Sequence, residues 1–295
     1  MPQIHIIDGG LSTELERLGA VFEGELWTGR ALVNDPAIVE QAHRSYVDAG
    51  AEIVITSSYQ LSRRGFEEVG LTAEQADEAL RQSIAVARAA VAGSDAKVAA
   101  SVGPFGAVLH DGSEYRGDYK VTQQELEEFH AERIAVLLSA NPDFLAVETI
   151  PNVLEARAVA NVLGADGVPG AAALPKWISF TAGTEAELWT GEPIEDAISA
   201  VANVPGLIAV GLNCVDPVLV EGLVARIKAV TDLPVIVYAN RGGTWNSELG
   251  KWSGQEPKTL AEWLPVWREL GVEYIGGCCG TASPDIAGLA AANLS

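Results

Sequence analysis

Residues 207–239 read LIAVGLNCVDPVLVEGLVARIKAVTDLPVIVYA. Two short apolar runs rich in β-branched residues flank one longer amphipathic stretch, which is the signature of a strand, a crossover helix and a parallel strand. Asp216-Pro217 opens the helical part with a cap residue before a first-turn proline. The same unit recurs in both directions. Strands are expected at 4–8, 52–56, 97–102, 144–148, 177–180, 207–212, 235–239 and 274–277. Helices are expected at 36–49, 73–92, 123–139, 153–163, 194–202, 217–230, 260–270 and 284–291. Asn34-Asp35-Pro36 and Ser283-Pro284 repeat the start signal. Thr72 with Gln75 and Thr122 with Glu125 fit capping boxes, and Gly50, Gly93 and Gly271 mark stops.

Eight strands alternating with eight helices, with no linker rich in proline, glycine or serine, predict a single α/β barrel of the (β/α)8, TIM type. It would occupy residues 1–295 as one domain. A doubly wound open sheet is the competitor, and the regular count disfavours it. The length of 295 residues suits one barrel with insertions. These insertions follow strands one, three and seven, at 9–33, 103–121 and 240–258, on the face where this fold places its active sites.

Composition narrows the function. The 40 acidic residues against 19 lysines and arginines leave a net charge of −21. That balance repels phosphate backbones and anionic lipids, so neither nucleic acid nor a membrane is an expected partner. Asp8 interrupts the first apolar run too early for a signal peptide, and no run approaches a membrane span. A cytoplasmic enzyme acting on small molecules is the expectation.

Three cysteines, Cys214, Cys278 and Cys279, carry the chemistry. An odd count with an adjacent pair makes a poor disulfide framework. Cys214 follows the sixth strand and the pair follows the eighth, so all three reach the same barrel mouth. Gly276, Gly277 and Gly280 offer the chain the freedom to turn both sulfurs inward. Three thiolates with no fourth protein ligand describe an open zinc site, one ion per chain. The alternative is three buried thiols acting as small apolar side chains; without a Cys-x-x-Cys pair a redox role is weaker. Zinc with three thiolates is a poor acid for splitting water and a good holder of another sulfur as a nucleophile. That points to alkyl transfer onto a thiol.

Nearly the whole chain resembles the homocysteine S-methyltransferase family. The resemblance rests on Asp8-Gly9-Gly10-Leu11-Ser12-Thr13-Glu14-Leu15-Glu16, Val147-Glu148-Thr149, Gly211-Leu212-Asn213-Cys214 and Gly276-Gly277-Cys278-Cys279. The stretch from Ser101 to Gly106, continued by Asp111 to Tyr119, looks like the branch that uses S-methylmethionine. The resemblance implies that Cys214, Cys278 and Cys279 bind zinc and that the substrate sulfur takes the fourth position. It implies that Asp8 and Glu148 hold the substrate ammonium, with the amides of Gly9 and Gly10 near its carboxylate. Asn213 is expected to orient the substrate, support the metal or satisfy a turn. Trp27 and Tyr59 match positions lining the methyl-donor pocket. Ala239, Arg241 and Gly280 depart from relatives around the mouth.

The expected reaction passes a methyl from S-methylmethionine, or S-adenosylmethionine, to homocysteine, giving methionine in one displacement with no catalytic residue beyond the zinc site. A betaine-like donor or a selenol acceptor is the alternative within that chemistry. A barrel lyase or isomerase cradling phosphate in the Gly276–Gly280 loop is the alternative of a different class. A zinc-stabilised binding protein is a third class, and the missing fourth ligand speaks against it. His5, His43, His110 and His130 lack metal-site spacing and read as surface or core residues.

Overall fold

The computed structural model describes residues 3–21, 27–246, 251–253 and 258–294. Eight parallel strands form one ring: His5–Ile6, Ile53–Ile55, Lys97–Val102, Phe144–Ile150, Lys176–Phe180, Leu207–Asn213, Val235–Ala239 and Val272–Gly277. The eighth pairs with the first. A parallel bridge from Ile7 to Ile53 spans the remaining seam, where Glu52 N donates to Ile6 O at 2.7 Å and Asp8 N to Ile53 O at 3.1 Å. The expected α/β barrel is therefore the observed one.

Alternating side chains split the core in two. Inside the ring, Trp177 and Tyr238 fill the space left by Ala99, Ala146 and Ala209, together with Ile7, Ile53 and Ile236. Large beside small is how a barrel interior packs without a pore. Outward-facing Val54, Val98, Val147, Ile178, Val210 and Val237 meet the apolar stripes of the helices. The capping boxes at Thr72 and Thr122 are both formed, and Gly50, Gly93 and Gly271 all take positive φ.

The insertions contain structure that periodicity does not show. The first holds the helices Leu11–Arg17 and Trp27–Asn34, the third-strand insertion holds Ser113–Arg116, and the seventh-strand insertion holds an antiparallel ribbon, Thr244–Asn246 with Lys251–Ser253. They are too short for a reliable amphipathic period. Long-range contacts hold the first of them. The buried Glu14 carboxylate accepts from Ser283 N at 3.0 Å and Ser283 Oγ at 3.1 Å, and pairs with Arg17. It thereby caps the last helix, Ser283–Asn293, and pins the first insertion to the end of the chain.

Candidate active site and metal centre

All three cysteines stand at the strand ends on one mouth, and their sulfurs lie within 4.8 Å of one another. Cys214 reaches it through a left-handed backbone, φ 51°, secured by its N–H on Tyr238 O at 3.2 Å. A non-glycine residue in that region carries strain, which persists only where the surroundings fix it. On the eighth strand the reason for the glycines differs from the one expected. Gly280 has φ +80° and turns the chain, whereas any side chain on Gly277 would collide with Thr281. Cys214 and Cys278 are joined as a disulfide, with Cα atoms 5.6 Å apart, and Cys279 is a free thiol. Sequence reasoning discounted any disulfide here because it considered only the adjacent pair. The fold instead brings together two cysteines 64 positions apart.

The same cluster, reduced, suits a soft cation. Tetrahedral zinc at about 2.3 Å from each sulfur needs the sulfurs roughly 3.8 Å apart, so the Cys214–Cys278 pair would have to open on reduction, within a cluster whose sulfurs all lie within 4.8 Å. All three cysteines are partly exposed, so one side stays open to a further ligand. Burial raises the Cys279 thiol's pKa, and the neighbouring Tyr115 hydroxyl opposes part of that rise. Nothing in the sequence pattern singled out Tyr115.

Across the mouth, Asp8 and Glu148 are 3% and 7% exposed. Asp8 Oδ2 accepts from Ile55 N at 2.7 Å. Burial holds its pKa well above the usual carboxylate range, and the nearby Glu148 charge raises it further. Glu148 accepts from Ser101 Oγ, and burial raises its pKa to about 7 although that bond and the nearby Tyr238 hydroxyl oppose the rise. Two buried carboxylates that oppose one another's ionisation form a site for a cation. Ser101 and Tyr238 lie on other strands, which is why sequence reasoning missed them.

Asn213, 1% exposed, is fully engaged by protein. Its Oδ1 accepts from Thr149 N at 2.7 Å and Ser179 Oγ at 2.8 Å, and its Nδ2 donates to Thr149 Oγ1 at 2.7 Å. Thr149 has φ 62°, and the register between the fourth and fifth strands shifts between Val147 and Ile150. Asn213 thus holds the irregularity beside Glu148 through its bonds to Thr149. The glycines also divide. Gly10 N is spent on Thr281 O at 3.1 Å and Oγ1 at 3.2 Å, and a side chain on Gly10 would strike the Cys278 carbonyl. Gly9 N makes no hydrogen bond among the described residues.

Tyr59 lies over Gly103, and the buried Arg133 holds its carbonyl at 2.9 Å. Trp27 heads the helix Trp27–Asn34, but its side chain lies outside the described residues. The four histidines stay away from the cysteines. His130 bonds Glu155 at 2.8 Å, His5 bonds Glu52 at 2.7 Å, and His43 is buried with both nitrogens unpartnered. The phosphate-cradle alternative fails on its amides. Gly277 N donates to Asp8 O, Cys278 N to Ala239 O, Gly280 N to Thr13 Oγ1 and Thr281 N to Cys278 O, so most of the loop's amides are spent on the protein.

The homocysteine S-methyltransferase family profile matches residues 5–293. The chain belongs to that family. It is 38% identical to homocysteine S-methyltransferase 4 of Zea mays over 97% of this chain and 88% of that protein. It is 37% identical to a selenocysteine Se-methyltransferase of Brassica oleracea var. italica over 95% of this chain and 86% of that one. The homocysteine methyltransferase MmuM of Escherichia coli, solved in metallated and oxidized forms, superposes with TM-score 0.86 and 36% identity for both. It covers 98% of this chain and 96% and 95% of those chains. No helix among the described residues is long and apolar enough to cross a membrane.

Proposed function

We propose that the whole chain works as a homocysteine S-methyltransferase of the cytoplasm, moving a methyl group from a sulfonium donor to homocysteine. One observation carries the reading. Three converging sulfurs share a mouth with a buried carboxylate pair. Thiol capture and ammonium capture are thus built into one cavity, which matches an amino acid ending in a thiol.

Cys214, Cys278 and Cys279 would hold one zinc ion, which when bound supplies a position for the substrate sulfur and lowers its pKa. Asp8 and Glu148 accept the substrate ammonium by charge-assisted hydrogen bonds. Ser101 holds one Glu148 oxygen in place. Gly9 N is the amide left for the substrate carboxylate. Tyr59 offers its ring to the incoming cation. The homocysteine thiolate forms the new S–CH3 bond as the donor's bond to that methyl breaks, with its electron pair returning to the donor sulfur. Donor and acceptor charges cancel along this path, which a partly dehydrated mouth favours.

The test is turnover by the purified, reduced, zinc-supplied chain with homocysteine and either S-methylmethionine or S-adenosylmethionine, together with zinc content. Methionine formation at one zinc per chain is expected. No product with either donor would sink the reading, and product from betaine alone would move it to another onium. The selenocysteine Se-methyltransferase relative motivates one further acceptor, a selenol.

A further inference from the structure

Both carboxylates of the ammonium site hang on one short segment, the chain leaving the second strand. Ile55 N donates to Asp8 Oδ2 at 2.7 Å. Just beyond it, Ser101 N donates to Thr56 Oγ1 at 3.0 Å, Ser58 Oγ donates to Ser101 O at 2.7 Å, and the Thr56 and Ser58 hydroxyls meet at 2.7 Å. Because Ser58 gives its proton to Ser101, Thr56 must give its own to Ser58, and the three residues close a ring of directed bonds. Ser101 Oγ in turn donates to Glu148 Oε1. Residues 55–58 therefore hold Asp8 directly and Glu148 through Ser101. What fastens that segment is Arg133, on the helix Gln123–Ser139 and 1% exposed. Its Nη2 donates to Tyr59 O at 2.9 Å and Ser58 O at 3.3 Å, and its Nη1 to Gly103 O at 2.9 Å. One guanidinium thus ties the chain after the second strand to the chain after the third. Among the described residues no carboxylate pairs with it. Glu132, its neighbour on the helix, pairs with Arg63 at 3.6 Å and acts on Arg133 only through space. The Phe129 ring lies against the guanidinium, 4.8 Å away.

We infer that Arg133 is a positioning residue for the acceptor's ammonium, holding residues 55–59 so that Asp8 and Glu148 keep the relative placement one ammonium can engage. The assignment rests on the function proposed above and concerns a residue that acts through others. A buried charge with no paired carboxylate is less favourable than an apolar side chain of the same volume, so filling space does not account for an arginine here. Its planar fork does. Donors on two separate nitrogens reach carbonyls of two different loops at once, which the single nitrogen of a lysine cannot reproduce. Charge-assisted hydrogen bonds from an ammonium are strong only where the acceptors are aligned in advance, and that alignment depends on the groups supporting them. The ammonium does not react, so it is held equally before and during methyl transfer. Loosening the segment should therefore raise the homocysteine KM and leave kcat unchanged.

The experiment compares full-length, reduced, zinc-loaded wild type with Arg133→Lys and Ser58→Ala. It measures calorimetric binding of homocysteine and of 4-mercaptobutyrate, alongside kcat, the homocysteine KM and zinc content. 4-Mercaptobutyrate keeps the thiol and the carboxylate but lacks the ammonium. Arg133→Lys keeps a cation and removes the fork, whereas Ser58→Ala keeps the fork and cuts its link to Ser101. Each variant should lose about tenfold in homocysteine affinity, with 4-mercaptobutyrate affinity, kcat and zinc content held within about twofold. An arginine that merely stabilises the fold would lower both affinities together, and that result overturns the inference, as does an unchanged homocysteine affinity in Arg133→Lys. If Arg133→Lys fails to fold by circular dichroism, Ser58→Ala decides alone: a loss confined to homocysteine supports the inference, and an equal or absent loss overturns it. A wild type that binds the two thiols alike would sink the ammonium site, and this inference with it. A wild type that prefers homocysteine, beside variants that keep the full preference, sinks only the role of Arg133.

Discussion

Replacing Glu148 by glutamine tests the acceptor site at the group whose environment is best defined. The side chain is 7% exposed, its carboxylate is held by Ser101, and its pKa is raised to about 7 by burial. Glutamine keeps the shape and an oxygen for Ser101 but removes the charge. A hydrogen bond to a charged group contributes about 1.5–3 kcal/mol, so homocysteine affinity should fall roughly 10- to 150-fold. The pH dependence sharpens the test. Binding an ammonium requires Glu148 ionised, and at pH 6 a group of pKa about 7 is only about one-tenth ionised. In wild type, homocysteine affinity should therefore fall by nearly tenfold per unit below pH 7 from this group. Proton release on binding of the thiol adds its own slope, which the variant keeps. Subtracting the two profiles isolates a break near pH 7. Stability should move the other way. A carboxyl with a raised folded pKa stabilises the protein while protonated and loses that contribution as pH rises through about 7. Glu148→Gln should thus be at least as stable as wild type at pH 8. The assay is calorimetric homocysteine binding from pH 5.5 to 8.5, with zinc content and melting temperature as controls. Unchanged affinity with parallel profiles would refute the ammonium role.

Cys214→Ser, Cys278→Ser and Cys279→Ser should each lose zinc and turnover while keeping the barrel's far-ultraviolet circular dichroism, since all three sit beyond strand ends; full turnover in any one would remove that cysteine from the centre. Asn213→Ala deletes three buried hydrogen bonds, two of them to Thr149 in its left-handed backbone and one from Ser179. It should lower stability by about 2–3 kcal/mol and weaken homocysteine binding as well; a denaturant midpoint and an affinity both equal to wild type would contradict that. Glu155, fully buried and bonded to Phe105 N, His130 and Tyr119, has its pKa raised to about 8 by burial. Its stabilising proton is lost as pH rises through that value, so stability should fall on the order of 2 kcal/mol between pH 6 and pH 9. Glu155→Gln should flatten this dependence, and an unaltered slope in thermal melts would show that other groups set it.

The barrel was legible in the sequence because its signals are local. Apolar alternation, cap residues at Thr72 and Thr122 and stops at Gly50, Gly93 and Gly271 act within a few residues, and each is formed as read. Counting strands then placed Cys214, Cys278 and Cys279 on one mouth, since position along an alternating unit fixes which end a residue occupies. Asp8 and Glu148 followed by the same logic. Everything that depends on approach across the ring was hidden. Only the folded chain shows that Cys214 meets Cys278, that Tyr115 neighbours Cys279, and that Ser101 holds Glu148 with Tyr238 nearby. Asn213 is chemically free in the sequence and spent in the structure, and Gly10 has given its amide to Thr281, 271 positions away. The left-handed turns at Thr149 and Cys214 carry no local signature, because neither residue favours them. They exist because neighbours distant in sequence supply hydrogen bonds that outweigh the strain, and only the tertiary structure brings those neighbours together.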